Sequence, residues 1–204
     1  ATAVGGSFGI KNTTASTTAG DVSKVTTGAS SAINLQTNAT NSNTGISSSG
    51  TGAGAVPVSV TTGANSTINV TAAGNATVTT AAGAGNVGIA ASNTNAAATG
   101  TVTVTTGASS AINVGAGSTA ALNSSGILAA NAGSGLTTIT TGGASTIAVG
   151  LGDQARGAWA NNTGTGGATI TTGDLSNITL SDSTAGGGAQ SNAVRADTTS
   201  GAIN

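Results

Sequence analysis

The residues of this chain that could do chemistry are few. Asp153 with Arg156, and Asp197 with Arg195, set an acid near a cation in sequence, the pairing that some polysaccharide lyases use. Beyond them the chain holds no His, Cys, Glu or Tyr, so the usual proton-shuttling and nucleophilic side chains are missing. These charges read as solvated surface groups where the sequence pattern degenerates, and no catalytic residue is expected. Asp174 and Asp182 fall in a single unit with no counterpart elsewhere, whereas calcium-binding turns repeat their Asp; neither a metal site nor a cofactor is expected.

Charge is nearly absent as a whole. No charged side chain lies between Lys24 and Asp153, and charged residues are 4% of the chain, with a net charge of −1. No basic patch supports nucleic-acid binding, and no apolar run of about 20 residues could span a bilayer as a helix. A neutral, Thr-rich chain has nothing to repel its own copies, so self-association is expected. Zero cysteine fits a secreted or cell-surface protein that does without disulfides, and the start Ala1-Thr2-Ala3-Val4 fits a processed product.

The elements behind these residues repeat. Glycines at 28, 63, 107, 142 and 173 are spaced by 35, 44, 35 and 31 residues, and each sits in the same frame. Three residues before the glycine stands Val or Ile (Val25, Val60, Val104, Ile139, Ile170). Three after it stands Ser, five after it Ile (Ile33, Ile68, Ile112, Ile147, Ile178), and seven after it Val or Leu. Both segments alternate with period 2, which predicts two short strands per unit, such as 101–106 and 110–114, with Gly107 relieving the bend between them. A third element begins at Gly126 and Gly157, which fall in step, with Gly45 and Gly88 in similar places. Weaker strand-like pieces stand at 119–123 and 75–80, and helix is disfavoured throughout.

A unit of this composition cannot bury a core alone, because ordering its backbone costs far more than a few branched side chains return. Stacked units solve the problem by pairing each strand with its counterparts and laying the isoleucines in one inward ladder. The expected fold is therefore all-β, a parallel β-solenoid (β-helix) of about five repeats over 22–180. Residues 1–21 form an N-terminal flank or cap, and 181–204 a C-terminal flank that serves as cap or inter-subunit strand. The alternative, an antiparallel β-sandwich of Thr-Thr-Gly hairpins, does not explain why side-chain identities return at fixed offsets. Whether one repeat makes one wide coil or two narrow ones stays open.

Stacking aligns further residues. Thr26, Thr61, Thr105, Thr140 and Thr171 would form an outward ladder with Thr27, Thr62, Thr106, Thr141 and Thr172 beside it, and Thr103 and Thr138 would add a second row. Asn34, Asn69 and Asn113 would form a hydrogen-bonded ladder. Trp159 falls in step with Leu128 and is expected to fill a core position; one Trp and one Phe (Phe8) are thin support for a sugar platform. Eight glycosylation sequons, at Asn12, Asn38, Asn65, Asn69, Asn75, Asn123, Asn161 and Asn177, decide nothing in a chain so rich in Ser and Thr.

The run Thr101-Val-Thr-Val-Thr-Thr-Gly-Ala-Ser-Ser-Ala-Ile-Asn-Val114, followed by Asn123-Ser-Ser-Gly-Ile-Leu-Ala-Ala-Asn131, resembles repeats in the passenger regions of bacterial autotransporter adhesins. That resemblance implies a right-handed parallel β-helix on a cell surface, serving adhesion, aggregation or biofilm cohesion. No translocator barrel follows, so the chain would be a fragment, a cleaved passenger or a separately exported subunit. A weaker likeness, through Gly85–Ala91, is to low-charge surface-layer proteins and functional amyloids. Three functions are expected in turn. The first is a structural protein that assembles with itself into a filament or surface matrix. The second is a monomeric adhesin passenger, whose cell-surface or glycan ligand no residue nominates. The third is an ice binder using the Thr26/Thr61/Thr105/Thr140/Thr171 array, since threonine arrays of this kind are what ice-binding solenoids present.

Overall fold

The computed structural model describes residues 7–18, 20–37, 43–72, 85–115, 124–150, 154–180 and 191–204. The first coil is β1 (Phe8–Thr14), β2 (Ser23–Thr26) and β3 (Ala32–Thr37); the second is β4 (Thr44–Gly50), β5 (Val58–Thr62) and β6 (Thr67–Ala72). The third is β7 (Val87–Asn93), β8 (Val102–Thr106) and β9 (Ala111–Val114); the fourth is β10 (Ser125–Asn131), β11 (Thr137–Thr141) and β12 (Thr146–Val149). The fifth is β13 (Arg156–Asn162), β14 (Ala168–Thr171) and β15 (Asn177–Leu180), and β16 (Asn192–Thr198) opens a sixth that a parallel bridge from Ala168 to Ile203 continues. No helix occurs among the described residues, hence none long and apolar enough to cross a membrane.

Every third strand pairs, always in parallel. The order is β1-β4-β7-β10-β13-β16 in the first sheet, β2-β5-β8-β11-β14 in the second and β3-β6-β9-β12-β15 in the third. This is a parallel β-solenoid in which each repeat makes one three-stranded coil. The antiparallel sandwich is excluded by the direction of the pairings. The strand-like pieces at 75–80 and 119–123 lie outside the described residues.

The register places like on like. Ile33, Ile68, Ile112, Ile147 and Ile178 pair successively in the third sheet, with Leu35, Val70, Val114, Val149 and Leu180 alongside. Val25, Val60, Val104, Ile139 and Ile170 do the same in the second sheet. The first sheet adds Ile46, Ile89 and Ile127, all fully buried. These three ladders are the core, and each interior coil buries its branched residues against those above and below.

The bend between the second and third strands differs from the sequence expectation. Its left-handed residue is not the glycine but the residue two further on: Ser30, Asn65, Ser109, Ala144 and Leu175 all have φ between 54° and 59°. The glycine is required by stacking instead. A Cβ on Gly107 would lie 2.4 Å from the backbone N of Ala64, and one on Gly142 would lie 2.4 Å from that of Ala108. The invariant serine closes this bend. Ser66 Oγ donates to Gly63 O at 2.7 Å and Ser110 Oγ to Gly107 O at 2.8 Å, and both hydroxyls also lie near the glycine carbonyl of the preceding coil.

A second corner follows the long strand of the first sheet. Asn131 and Asn162, stacked and buried, turn their side chains inward there. Asn162 Nδ2 donates to Gly135 O (2.8 Å), Thr137 Oγ1 (3.1 Å) and Gly167 O (3.3 Å), while its Oδ1 accepts from Gly164 N. Asn131 repeats the pattern one coil earlier, bonding Gly100 O, Gly135 O and Gly133 N. These asparagines satisfy backbone groups that a tight, buried corner would otherwise leave without partners.

Candidate functional site

The five isoleucines singled out by the sequence belong to the interior and carry no chemistry of their own. What the outside world meets are three sheet faces and the two ends of the stack. On the second sheet, strict alternation turns Val25, Val60, Val104 and Ile139 inward, so Thr26, Thr61, Thr105, Thr140 and Thr171 point outward, in register across five strands. A parallel row two residues earlier holds Lys24, Ser59, Thr103, Thr138 and Thr169. Three of the five members of the companion row expected beside the ladder are not on this face, while Thr27 is half-buried and Thr172, beyond β14, is exposed. Thr62, Thr106 and Thr141 are buried at the corner, where the hydroxyls of Thr106 and Thr141 accept from Gly142 N and Gly173 N. Successive strand residues face opposite sides, so two adjacent threonines cannot both be outward.

On the third sheet the asparagine ladder is present. Asn69 Nδ2 donates to Asn34 Oδ1 at 2.6 Å, and Asn113 Nδ2 to Asn69 Oδ1 at 2.9 Å. Its members satisfy one another along the stack.

The first sheet carries the charged cluster. Trp159 is half-buried on the outer face, not in the core position the sequence suggested, because Ala158 and Ala160 take the inward places. The guanidinium of Arg156 lies 3.9 Å from the centre of its ring and that of Arg195 5.7 Å. Trp159 Nε1 donates to Asp197 Oδ2 at 2.7 Å, and Arg195 Nε donates to the same oxygen at 2.7 Å. Burial pushes the Asp197 carboxyl upward, but the hydrogen bonds from Arg195 and Trp159 and the charges of Arg195 and Arg156 outweigh it and hold the group below its ordinary value. Arg156 is pulled below its ordinary value by burial first and by the charge of Arg195 second, with Asp197 opposing. The hydrogen bond from Trp159 to Asp197 ties β13 to β16 across this face.

Of the other candidates, Asp153 and Asp182 lie outside the described residues. Asp174 sits exposed at the last bend, where its carbonyl accepts from Ala144 N. No group of three or more potential metal ligands occurs among the described residues. Phe8 is exposed on β1, under Lys11 at 4.4 Å.

The ends of the stack are apolar. Ile10 and Val194 are the outermost members of the first-sheet ladder whose inner members are Ile46, Ile89, Ile127 and Ala158; they are 36% and 47% exposed where the inner four are at 0%. No protein-family model matches this chain, and no curated protein and no solved structure matches it either.

Proposed function

We propose that this chain is a length of structural rod that works by self-association, coil added on coil at its ends, in a filament or matrix on the cell exterior. The observation that carries this reading is the open ladder: Ile10 and Val194 present core side chains to solvent at the two ends of an otherwise closed interior. At one end of the stack β1, β2 and β3 each leave an edge unpaired among the described residues, and at the other β15 and β16 do; such edges accept further strands. A head-to-tail contact of this kind does not close on itself, so it grows into a fibre. The near absence of charge leaves little to oppose it. Adhesion and biofilm cohesion go with the same reading through the resemblance of the repeats to adhesin passenger regions.

Electron microscopy and light scattering over a concentration series test it. Filaments or concentration-dependent growth are expected, and Val194→Lys should suppress them by placing an unpaired charge on the joining surface. Discrete particles that never grow would refute assembly through the ends and leave the chain a monomeric passenger-type segment.

A further inference from the structure

We infer that the outer face of the second sheet is a water-ordering surface whose ligand is crystalline water, that is, ice. Four observations converge on that face. The first is its regularity. Thr103, Thr138 and Thr169 form one row and Thr61, Thr105, Thr140 and Thr171 the next, paired residue to residue without a bulge. Strands in such a sheet lie about 4.8 Å apart, and alternate residues along a strand about 6.6 Å apart. A hydroxyl grid on this lattice repeats in two directions, as the face of a crystal does.

The second is chemical uniformity. Across β5, β8, β11 and β14 every outward residue is Thr or Ser, and the lone charge, Lys24, is on the outermost strand. A charged group holds its own hydration shell against any lattice, and here the lattice would find none within the grid. Threonine offers a hydroxyl to bond and a methyl to exclude loose water, on a β-branched stem with few rotamers to lose.

The third is that these hydroxyls are uncommitted. No side-chain hydrogen bond within the described residues engages Thr61, Thr103, Thr105, Thr138, Thr140, Thr169 or Thr171. The polar groups of the neighbouring faces, by contrast, bond one another: Asn34 to Asn69 to Asn113, and Trp159 to Asp197 to Arg195. The fourth is rigidity beneath the grid, where the Val58–Val102 and Val60–Val104–Ile139 ladders are fully buried, so the hydroxyls ride on a packed core rather than on loops.

Ice bound this way needs no end-to-end growth, so the inference stands apart from the assembly reading. The test is growth of single ice crystals in a solution of the purified full chain, together with partition of the chain between slowly grown ice and residual liquid. Faceted crystals, a freezing point held below the melting point and enrichment in the ice are expected. The double variant Thr105→Lys/Thr140→Lys should lose all three. Thr146→Lys, exposed on the third sheet of the same coil as Thr140, should keep them. Circular dichroism shows that each variant retains its strands. Rounded crystals and exclusion of the wild-type chain from ice would overturn the inference, as would equal loss in the Thr146→Lys control.

Discussion

Gly126 on β10 and Ile147 on β12 fit each other across the interior: a Cβ built on Gly126 would lie 2.2 Å from Ile147 Cγ2. The relationship recurs coil by coil, as Gly45 with Ile68, Gly88 with Ile112 and Gly157 with Ile178. The isoleucine ladder of the third sheet therefore packs into a groove of glycine in the first, and the sequence holds both partners for one reason. Gly126→Ala should overpack this contact and lower stability by about 2 kcal/mol. In a Gly126→Ala/Ile147→Ala double variant the two losses should sum to more than the measured total, because removing the isoleucine relieves the closer of two contacts and leaves the one with Gly157 O at 2.7 Å. Urea unfolding of the four species checks this, and simple additivity would show that the two residues do not meet.

The bend glycines predict a contrast between coils. Gly107 and Gly28 occupy the same place in the repeat, but a Cβ on Gly107 would strike the backbone of the coil beneath, while one on Gly28 would meet open space. Gly107→Ala should destabilise by about 3 kcal/mol, since backbone cannot step aside as a flexible side chain can, whereas Gly28→Ala should stay within about 0.5 kcal/mol of the wild type. Equal effects at the two positions would mean that the glycine serves the bend's own conformation rather than the stacking.

Two residues beyond each of these glycines, the left-handed position is held by residues other than glycine. Ala144 and Leu175 have neither the side-chain oxygen of Asn or Ser nor the freedom of Gly, yet take φ of 54° and 59°. Leu175 is also 90% exposed, so it gains little from burial. Leu175→Gly and Ala144→Gly should each stabilise the chain by about 1 kcal/mol, the cost of a side chain in that region less the backbone entropy of glycine. A fall in the thermal midpoint on either change would contradict the assigned backbone conformation.

The ladders were legible in the sequence because their identities are fixed: Ile33 through Ile178 and Val25 through Ile170 sit at constant offsets from one glycine, and constant offsets mean constant neighbours. Parity within a strand was legible too, strictly so in the second sheet and from Ile127 onward in β10, whereas Gly126 and Ile127 in succession both face the interior. With Val60 inward, Thr61 is outward and Thr62 inward again. With Ile127 inward, Leu128 faces out, and so does Trp159 beside it. The asparagine corner was harder to see. Its members return at Asn93, Asn131 and Asn162 at intervals that follow loops of different length, so no fixed period marks them. The signal that would have found it is local, an Asn-x-Gly-x-Gly run at 131–135 and again at 162–166. What no sequence pattern conveyed is the environment of Trp159, because Arg156 and Arg195 come from successive coils.

The corner asparagines support a prediction of their own. Asn162→Ala would strip a buried turn of one acceptor and of the donor shared by Gly135 O and Gly167 O, and should cost about 3 kcal/mol through unsatisfied backbone groups. Thr198 stands at the next rung and bonds Gly166 O and Gly201 N through its hydroxyl, so Asn162→Thr should recover part of that loss. If the alanine and threonine variants unfold at the same urea concentration, the side-chain bonds are not what holds the corner.

Trp159 is the only tryptophan in the chain, which makes its fluorescence a reporter of Asp197. The carboxyl of Asp197 is held below its ordinary value, so the folded state favours the ionised form. The stabilisation is fully present above the ordinary carboxylate range and is lost as pH falls through the lowered folded value, where protonation removes the charge that Trp159 Nε1–H and Arg195 share. The emission of Trp159 should therefore hold steady through mildly acidic pH and change only below the usual range for an aspartate. Asp197→Asn should abolish that transition while the strands persist by circular dichroism. With the carboxylate side chain 36% exposed, solvent screening keeps the contribution to stability small, so the effect belongs to the spectrum before it belongs to the unfolding curve. A midpoint at or above the ordinary aspartate value would mean that the two donors do not hold the carboxylate as the geometry requires.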